Sequence, residues 1–402
     1  MTHESDVRSA PEAGREDPAS RFATLAVGSQ PGALTRVPCP QEPNLTTSTP
    51  PTPAGEAHEG HVAVRWTGNP TTEVSTMQAI VQSTYGEAEN VLRLEEIATP
   101  HIAVDEVLVR VHAAGLDRGV WHSMAGLPYP IRLAGYGLRA PKNAVLGTDL
   151  AGRVEAVGAN VTTLQIGDEV YGAGQGSFAG FTRAKADQLA RTPRNLDFQQ
   201  AAAIPVSACT ALQAVRDRGR VTSGQKVLVV GASGGVGSYV VQIAKAFGAV
   251  VTGVCSTSKM ELVRSLGADR VIDYTAADFA EMGEEYDVIL DTGGNAPLRR
   301  LRRALSPRGT LVLIGGETPG RWLGGTDRQL RAMLLSPFIG QRLCTFIGRV
   351  DATDLAALTV LIESGRVKPA IDKTYPLREV AAAIRYLQAG HARGKVVITI
   401  DG

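Results

Sequence analysis

Lys226-Val-Leu-Val-Val-Gly-Ala-Ser-Gly-Gly-Val-Gly-Ser238, followed by Tyr239-Val-Val-Gln-Ile-Ala-Lys-Ala-Phe247 and Gly248, decides how the rest of the chain is read. The β-branched run 227–230 predicts a fully buried strand. Gly231, Gly234 and Gly237 follow at three-residue spacing, and then apolar residues recur at helical intervals until Gly248 stops the helix. Strand, glycine turn and helix in that order predict a dinucleotide site: glycines let the backbone turn tightly and approach a pyrophosphate, which sits against the free N–H groups of the helix. Ser233, Gly235 and Val236 complete the candidate turn. The competing reading is a purely structural strand–helix turn of an α/β protein.

The surrounding chain supports the first reading. An α/β alternation runs from Lys226 to about 315, with strands expected at 226–230, 250–255, 270–272, 286–291 and 310–314. Helices are expected between them at 235–247, 258–266, 279–282 and 296–305. That pattern predicts a doubly wound parallel sheet. Before it, short strands at 79–81, 92–95, 106–113, 151–157 and 169–171, separated by Gly, Pro and Asp turns, predict a β-rich domain. A helical stretch at 196–214 leads into Lys226. After 315 come helices at 354–364 and 379–389 and a closing strand at 395–400, which either extends the parallel sheet or returns to the first domain.

Residues 1–76 have a different texture. They hold 10 of the 22 prolines, no lysine, and a low-complexity run from Thr46 to Pro53. Disorder is expected there, either as a flexible tail or because the true start is Met77. Net charge is +1 over 402 residues, which implies no nucleic-acid or anionic-membrane partner. No apolar run approaches the roughly 20 residues of a membrane span. Four scattered cysteines without a CxxC fit a reducing cytoplasm.

Cofactor choice is read at the end of the second strand of the alternation. An NAD site places a carboxylate there for the ribose 2′-hydroxyl. This chain has Ser256-Thr-Ser-Lys259, hydroxyls and an ammonium suited to a 2′-phosphate, so NADPH is expected with Ser256 and Lys259 as its contacts. Ser256 and Thr257 also suit a helix cap, and both roles are compatible. Tyr274, after the next strand, flanks the adenosine end or packs elsewhere.

Residues 77–402 resemble the medium-chain dehydrogenase/reductase superfamily, and within it the zinc-independent quinone oxidoreductase (zeta-crystallin-like) branch. The resemblance is carried by Gly147-Thr-Asp-Leu-Ala-Gly152 with Val154 and Gly158, by Gly167-Asp-Glu-Val170, by Gly231 to Gly237, by Leu266-Gly-Ala-Asp269 with Val271-Ile-Asp-Tyr274, and by Gly394-Lys-Val-Val397. It implies a GroES-like substrate domain split between 77–200 and 340–402, a central Rossmann NADP-binding domain at 201–339, and an active site between them. It also implies a nicotinamide contact at Thr210, for which core packing is the alternative, and a phosphate contact at Lys395, for which plain solvation is the alternative. Thr292-Gly-Gly294 and Gly315-Gly316 follow Rossmann strands, so Gly293, Gly315 and Gly316 are candidates for close approach to the dinucleotide.

Zinc-dependent members carry Gly-His-Glu where this chain has Gly147-Thr148-Asp149, and their ligand cysteine falls near Leu116-Asp117. Threonine is not a zinc ligand, the four-cysteine structural cluster is missing, and His112 and His122 are read as packing or surface residues. No zinc is therefore expected. Hydride transfer from NADPH to a quinone or α,β-unsaturated carbonyl is the expected activity, because conjugation eases hydride arrival without a Lewis acid. An enoyl reductase on acyl chains and a low-turnover NADPH-binding sensor are the alternatives.

Two catalytic candidates remain. Asp117 stands where the branch has asparagine; it acts in the cleft, pairs with a neighbour, or caps a turn. Tyr136, in a glycine-containing loop before the Gly-Thr-Asp motif, donates a proton or is a surface tyrosine. The strand-like segment 342–349 offers an edge for a homodimer.

Overall fold

A computed structural model describes residues 75–315, 322 and 324–400. The expectations for residues 1–74 and for Gly316 lie outside the described residues.

Seven strands come first: β1 (Thr76–Val81), β2 (Arg93–Ala98), β3 (Glu106–Leu116), β4 (Asp149–Val157), β5 (Glu169–Ala173), β6 (Phe181–Lys185) and β7 (Leu189–Arg191). The middle of the chain holds β8 (Lys226–Val230), β9 (Val250–Cys255), β10 (Arg270–Asp273), β11 (Tyr286–Asp291), β12 (Leu305–Leu313) and β13 (Arg342–Thr345). Last come β14 (Ile371–Pro376) and β15 (Lys395–Thr399).

The six middle strands form one parallel sheet in the order β10-β9-β8-β11-β12-β13. Strand order reverses between β8 and β11, and ligands of such sheets bind at that switch point, outside the carboxyl ends of the strands. Alternation along β8 explains why both faces are covered. Val227 and Val229 enter one buried cluster; Leu228 and Val230 enter another on the opposite face.

The second sheet runs β14-β15-β3-β4-β5-β7, with β6 also paired to β3. Here β15 lies antiparallel to β3, from Val396 opposite Leu116 to Thr399 opposite Ala113, so the closing strand returns to the first domain. The return comes later than position 340, since Arg342–Thr345 is the sixth strand of the parallel sheet, alongside Thr310–Leu313 of β12. It stands at the edge of that sheet. The expected helix at 279–282 is a turn instead: Asp278 Oδ1 accepts from the Ala280 N–H at 2.8 Å, and Gly283 turns away at φ +71°.

The Pro205–Gln213 helix joins the two sheets. Ala208, Cys209, Ala211 and Leu212 are buried in one cluster with Val227 and Val229 of the parallel sheet and with Ala113, Ala151, Tyr171 and Val397 of the other. Small side chains let this helix lie close between them.

The glycine turn shows why its glycines are there. Gly231 takes φ +80°, and a Cβ at Gly237 would lie 2.1 Å from the Gly231 carbonyl oxygen. That contact presses the start of the Gly235–Ala246 helix onto the end of β8. Gly237→Ala should therefore lower unfolding free energy by about 1–3 kcal/mol, the usual range for overpacking, as measured by urea titration. An unchanged midpoint would contradict this packing.

Candidate functional site

The turn opens onto the carboxyl ends of three strands. A Cβ on Gly231 would lie 2.8 Å from the Gly293 nitrogen, and one on Gly315 would lie 2.6 Å from the Thr292 carbonyl oxygen. Gly231, Gly293 and Gly315 thus let the ends of β8, β11 and β12 pack backbone against backbone. This junction is braced by an ion pair: Arg328 donates to Asp291 Oδ2 at 2.6 Å, to the Ala296 carbonyl at 2.8 Å and to the Gly315 carbonyl at 2.8 Å. Asp291 is fully buried, which raises its pKa while Arg328 pulls it back. Nothing in the sequence pattern singled out Arg328. Its partner stands 37 positions away, brought near only by the fold.

Ser256, Lys259 and Tyr274 lie together. They line a cavity of about 580 Å³ with Lys373, His391 and Arg393 of the C-terminal segment. The Ser256 hydroxyl makes no cap bond to the short helical turn Thr257–Lys259. The Lys259 ammonium donates to the carbonyls of Gly390 at 2.8 Å and Ala392 at 2.9 Å. Sequence reading missed Arg393, although it directly precedes the Gly394-Lys395 motif.

Lys395 departs from the expected phosphate or solvent role. Its side chain is 1% exposed, and the ammonium sits 3.2 Å from Asp149 Oδ2 and 3.1 Å from the Ser207 hydroxyl. Its methylene stem still packs under the glycine turn, since a Cβ on Gly235 would lie 3.4 Å from Lys395 Cδ. Asp149 Oδ1 accepts from the Val206 N–H at 2.9 Å. This carboxyl is fully buried, and burial pushes it up to about 7; the Lys395 charge opposes that, the Asp117 charge adds to it, and the Val206 N–H opposes it. Asp149 was in plain view in Gly147-Thr148-Asp149, but only as the counterpart of a zinc ligand.

Thr210 is buried on the linking helix against the backbone of Gly348, where a Cβ would come 2.2 Å from the Thr210 hydroxyl. Core packing, the alternative for this residue, describes that environment.

Asp117 caps the Arg118–Ala125 helix: Oδ1 accepts from the N–H groups of Gly119 at 2.6 Å and Val120 at 3.3 Å. Its Oδ2 is buried without a hydrogen-bond partner. The capped helix contributes Val120 and Ser123 to a second cavity of about 320 Å³, which Tyr136, Lys142, Asn143 and Thr148 also line. Tyr85 anchors the Tyr136 loop: its one hydroxyl proton is shared between the carbonyls of Gly137 at 2.6 Å and Tyr136 at 2.9 Å. Thr148, on this cavity, and Asp149, in the buried pair, are neighbours in sequence.

His112 stacks on Phe198 with ring centroids 4.6 Å apart, and His122 Nδ1 lies 2.6 Å from the Leu127 carbonyl. Among the described residues, no three His, Cys, Asp or Glu side chains converge as a metal site.

Residues 103–194 match the family described as alcohol dehydrogenase GroES-like domain, and residues 266–398 match zinc-binding dehydrogenase. A 2-methylene-furan-3-one reductase of Solanum lycopersicum is 35% identical over 340 residues, covering 81% of this chain and 79% of the relative. An NADPH-dependent alkenal/one oxidoreductase, chloroplastic, of Arabidopsis thaliana is 36% identical over 341 residues, covering 80% and 79%. Among solved structures, the quinone oxidoreductase from Coxiella burnetii superposes with TM-score 0.72 at 26% identity, covering 81% of this chain and all of that one. A mycobacterial protein complexed with NADPH superposes with TM-score 0.68 at 26% identity, covering 80% and 99%.

Two outcomes follow from the carboxylates. Asp117→Ala should cost about 1 kcal/mol through the lost cap, whereas Asp117→Asn, which keeps an acceptor oxygen, should cost less; urea titrations separate them. Asp149 keeps its proton in the fold where an unfolded aspartate, with a pKa of about 3.9, has lost it. Its contribution to stability is therefore fully present below about pH 4 and is lost as pH rises through about 7. Unfolding free energies at pH 5 and pH 8 should differ less for Asp149→Asn than for the wild type, and equal pH dependence in both would refute this.

Proposed function

We propose that this chain, which belongs to the zinc-independent quinone oxidoreductase-like branch of the medium-chain dehydrogenase/reductase superfamily, is an NADPH-dependent reductase of quinones or α,β-unsaturated carbonyls. The observation that carries the reading is the end of β9. Hydroxyls and a cation-lined cavity stand there, next in the sheet to the strand that ends in the glycine turn, where an NAD site would place a carboxylate.

The residues present fit such a cofactor. Gly231, Gly234 and Gly237 admit the pyrophosphate to the N-terminus of the Gly235–Ala246 helix, whose free N–H groups face its charge. When bound, the cofactor supplies hydride to a conjugated acceptor. The acceptor occupies the 320 Å³ cavity, where Tyr136, Lys142 and Asn143 offer donors to a carbonyl oxygen. Tyr136 gives the proton in this scheme, and Asp117 acts indirectly, by fixing the Arg118–Ala125 helix that floors the cavity. The relatives named for enone and alkenal substrates support this acceptor class.

Loss of NADPH absorbance with 1,4-benzoquinone, a short enone and an enoyl thioester, run in parallel on metal-analysed protein, tests the proposal. Turnover of the quinone or enone without stoichiometric zinc is expected, with Tyr136→Phe lowering kcat about a hundredfold or more, the low end of the usual contribution of general acid catalysis (about 10²–10⁴). Preference for the thioester would favour an acyl-chain enoyl reductase, and tight NADPH binding with no consumption would sink both enzymatic readings.

A further inference from the structure

We propose that Arg299, Arg302 and Arg303 form a binding site for a small polyphosphate anion at the amino end of the parallel sheet. The site is separate from the glycine turn, and the inference does not depend on the NADPH reading.

The three arginines belong to the Leu298–Arg303 helix, which runs directly into β12. With Pro307, Ile339 and Gln341 they line a cavity of about 510 Å³, within the usual span of small-molecule sites (about 300–1,000 Å³). Pro307 lies near the start of β12, and Gln341 directly precedes β13. The cavity therefore sits at the amino ends of these strands, whereas the glycine turn follows the carboxyl end of β8. Among the described residues, no carboxylate lines it.

For the helix alone this placement is unfavourable. Arg299 stands three residues before Arg302 and four before Arg303, the spacings at which like charges on a helix repel. Arg302 and Arg303 suit the negative end of the helix, but Arg299 is in the first turn, where a cation is disfavoured. Neighbouring carboxylates offset little of this. Asp278 is taken by Arg300 at 2.7 Å, and Glu281 lies 3.9 Å from Arg303 with the two side chains 69% and 66% exposed. One guanidinium is held in place. Arg302 Nε donates to Gln341 Oε1 at 3.0 Å, while Gln341 Nε2 donates to the carbonyls of Arg302 at 3.0 Å and Leu305 at 2.9 Å. The bond to Gln341 uses one of the five N–H groups of the Arg302 fork. Guanidinium forks engage phosphate oxygens two at a time, so three of them crowded on one cavity suit a chain of linked phosphates, whose charge would relieve their repulsion.

Isothermal titration of the full chain with inorganic tripolyphosphate, and with citrate as the carboxylate comparison, tests the site. Wild type should take up one more equivalent of tripolyphosphate than the triple variant Arg299→Ala/Arg302→Ala/Arg303→Ala. Each single substitution should weaken that equivalent about three- to tenfold, between the worth of an exposed ion pair and that of a charge-assisted hydrogen bond. Arg393→Ala, which alters the cationic cavity at the end of β9, should keep it. In urea titrations without the anion, Arg299→Ala should unfold at the wild-type midpoint or above it, because a repulsion is removed and alanine favours the helix. Equal uptake and affinity in wild type and the triple variant would overturn the site. Loss of the equivalent in Arg393→Ala would place the anion in the other cavity and overturn it too. Citrate bound as tightly as tripolyphosphate would overturn the choice of phosphate, and a lowered midpoint in Arg299→Ala would make that arginine structural and overturn its role.

Discussion

Asp149 and Lys395, buried side by side with no access to water, hold the two halves of this protein in register. Asp149 begins β4, Lys395 begins β15, and Ser207 and Val206 open the linking helix; all four meet at one buried point. Burying such a pair gains little net stability, but leaving either group without its partner is costly. The pair therefore acts as a constraint on geometry. It ties the three segments at one point and sets the Lys395 stem beneath Gly235.

From that point the two cavities take their places. On one side Thr148 and the helix capped by Asp117 shape the smaller cavity, with the Tyr136 loop pinned by Tyr85. On the other, the chain just before Lys395 runs back across the end of β9, where Lys259 and Asp372 grip it. The cavity at the end of β9 is thus built by two parts of the chain, the parallel sheet supplying Ser256 and Tyr274 and the C-terminal return supplying Lys373, His391 and Arg393. In the proposed function, closing the fold and completing the phosphate site are one event.

Much of this was legible because local chemistry left few choices. The run 227–230 could only be a buried strand, and three glycines before an apolar helix could only be a tight strand–helix turn. Ser256, Lys259 and Tyr274 follow successive strands of one parallel sheet, so their convergence was implied by the alternation. Legibility failed where the decisive contact was distant. Lys395 and Asp149 are separated by 246 positions, and no spacing rule links them. Arg328 reaches Asp291 from a helix that carries no motif. The segment 342–345 has the texture of any short edge strand, so only pairing with β12 assigned it to the parallel sheet.

The sequence by itself determined the local backbone forms: the strand–turn–helix unit, the absence of an acid at the end of β9, and the residue types where a zinc-dependent relative would place its ligands. These depend on steric freedom and side-chain chemistry within a few positions. The tertiary structure alone decided which charges are buried against each other and which remain facing a cavity. Lys259 and Lys395 are indistinguishable as letters, yet one is spent on carbonyls beside the cavity at the end of β9 and the other on Asp149 in the core. A lysine's role follows from its desolvation and its partners, and both are properties of the packed chain rather than of its neighbours in sequence.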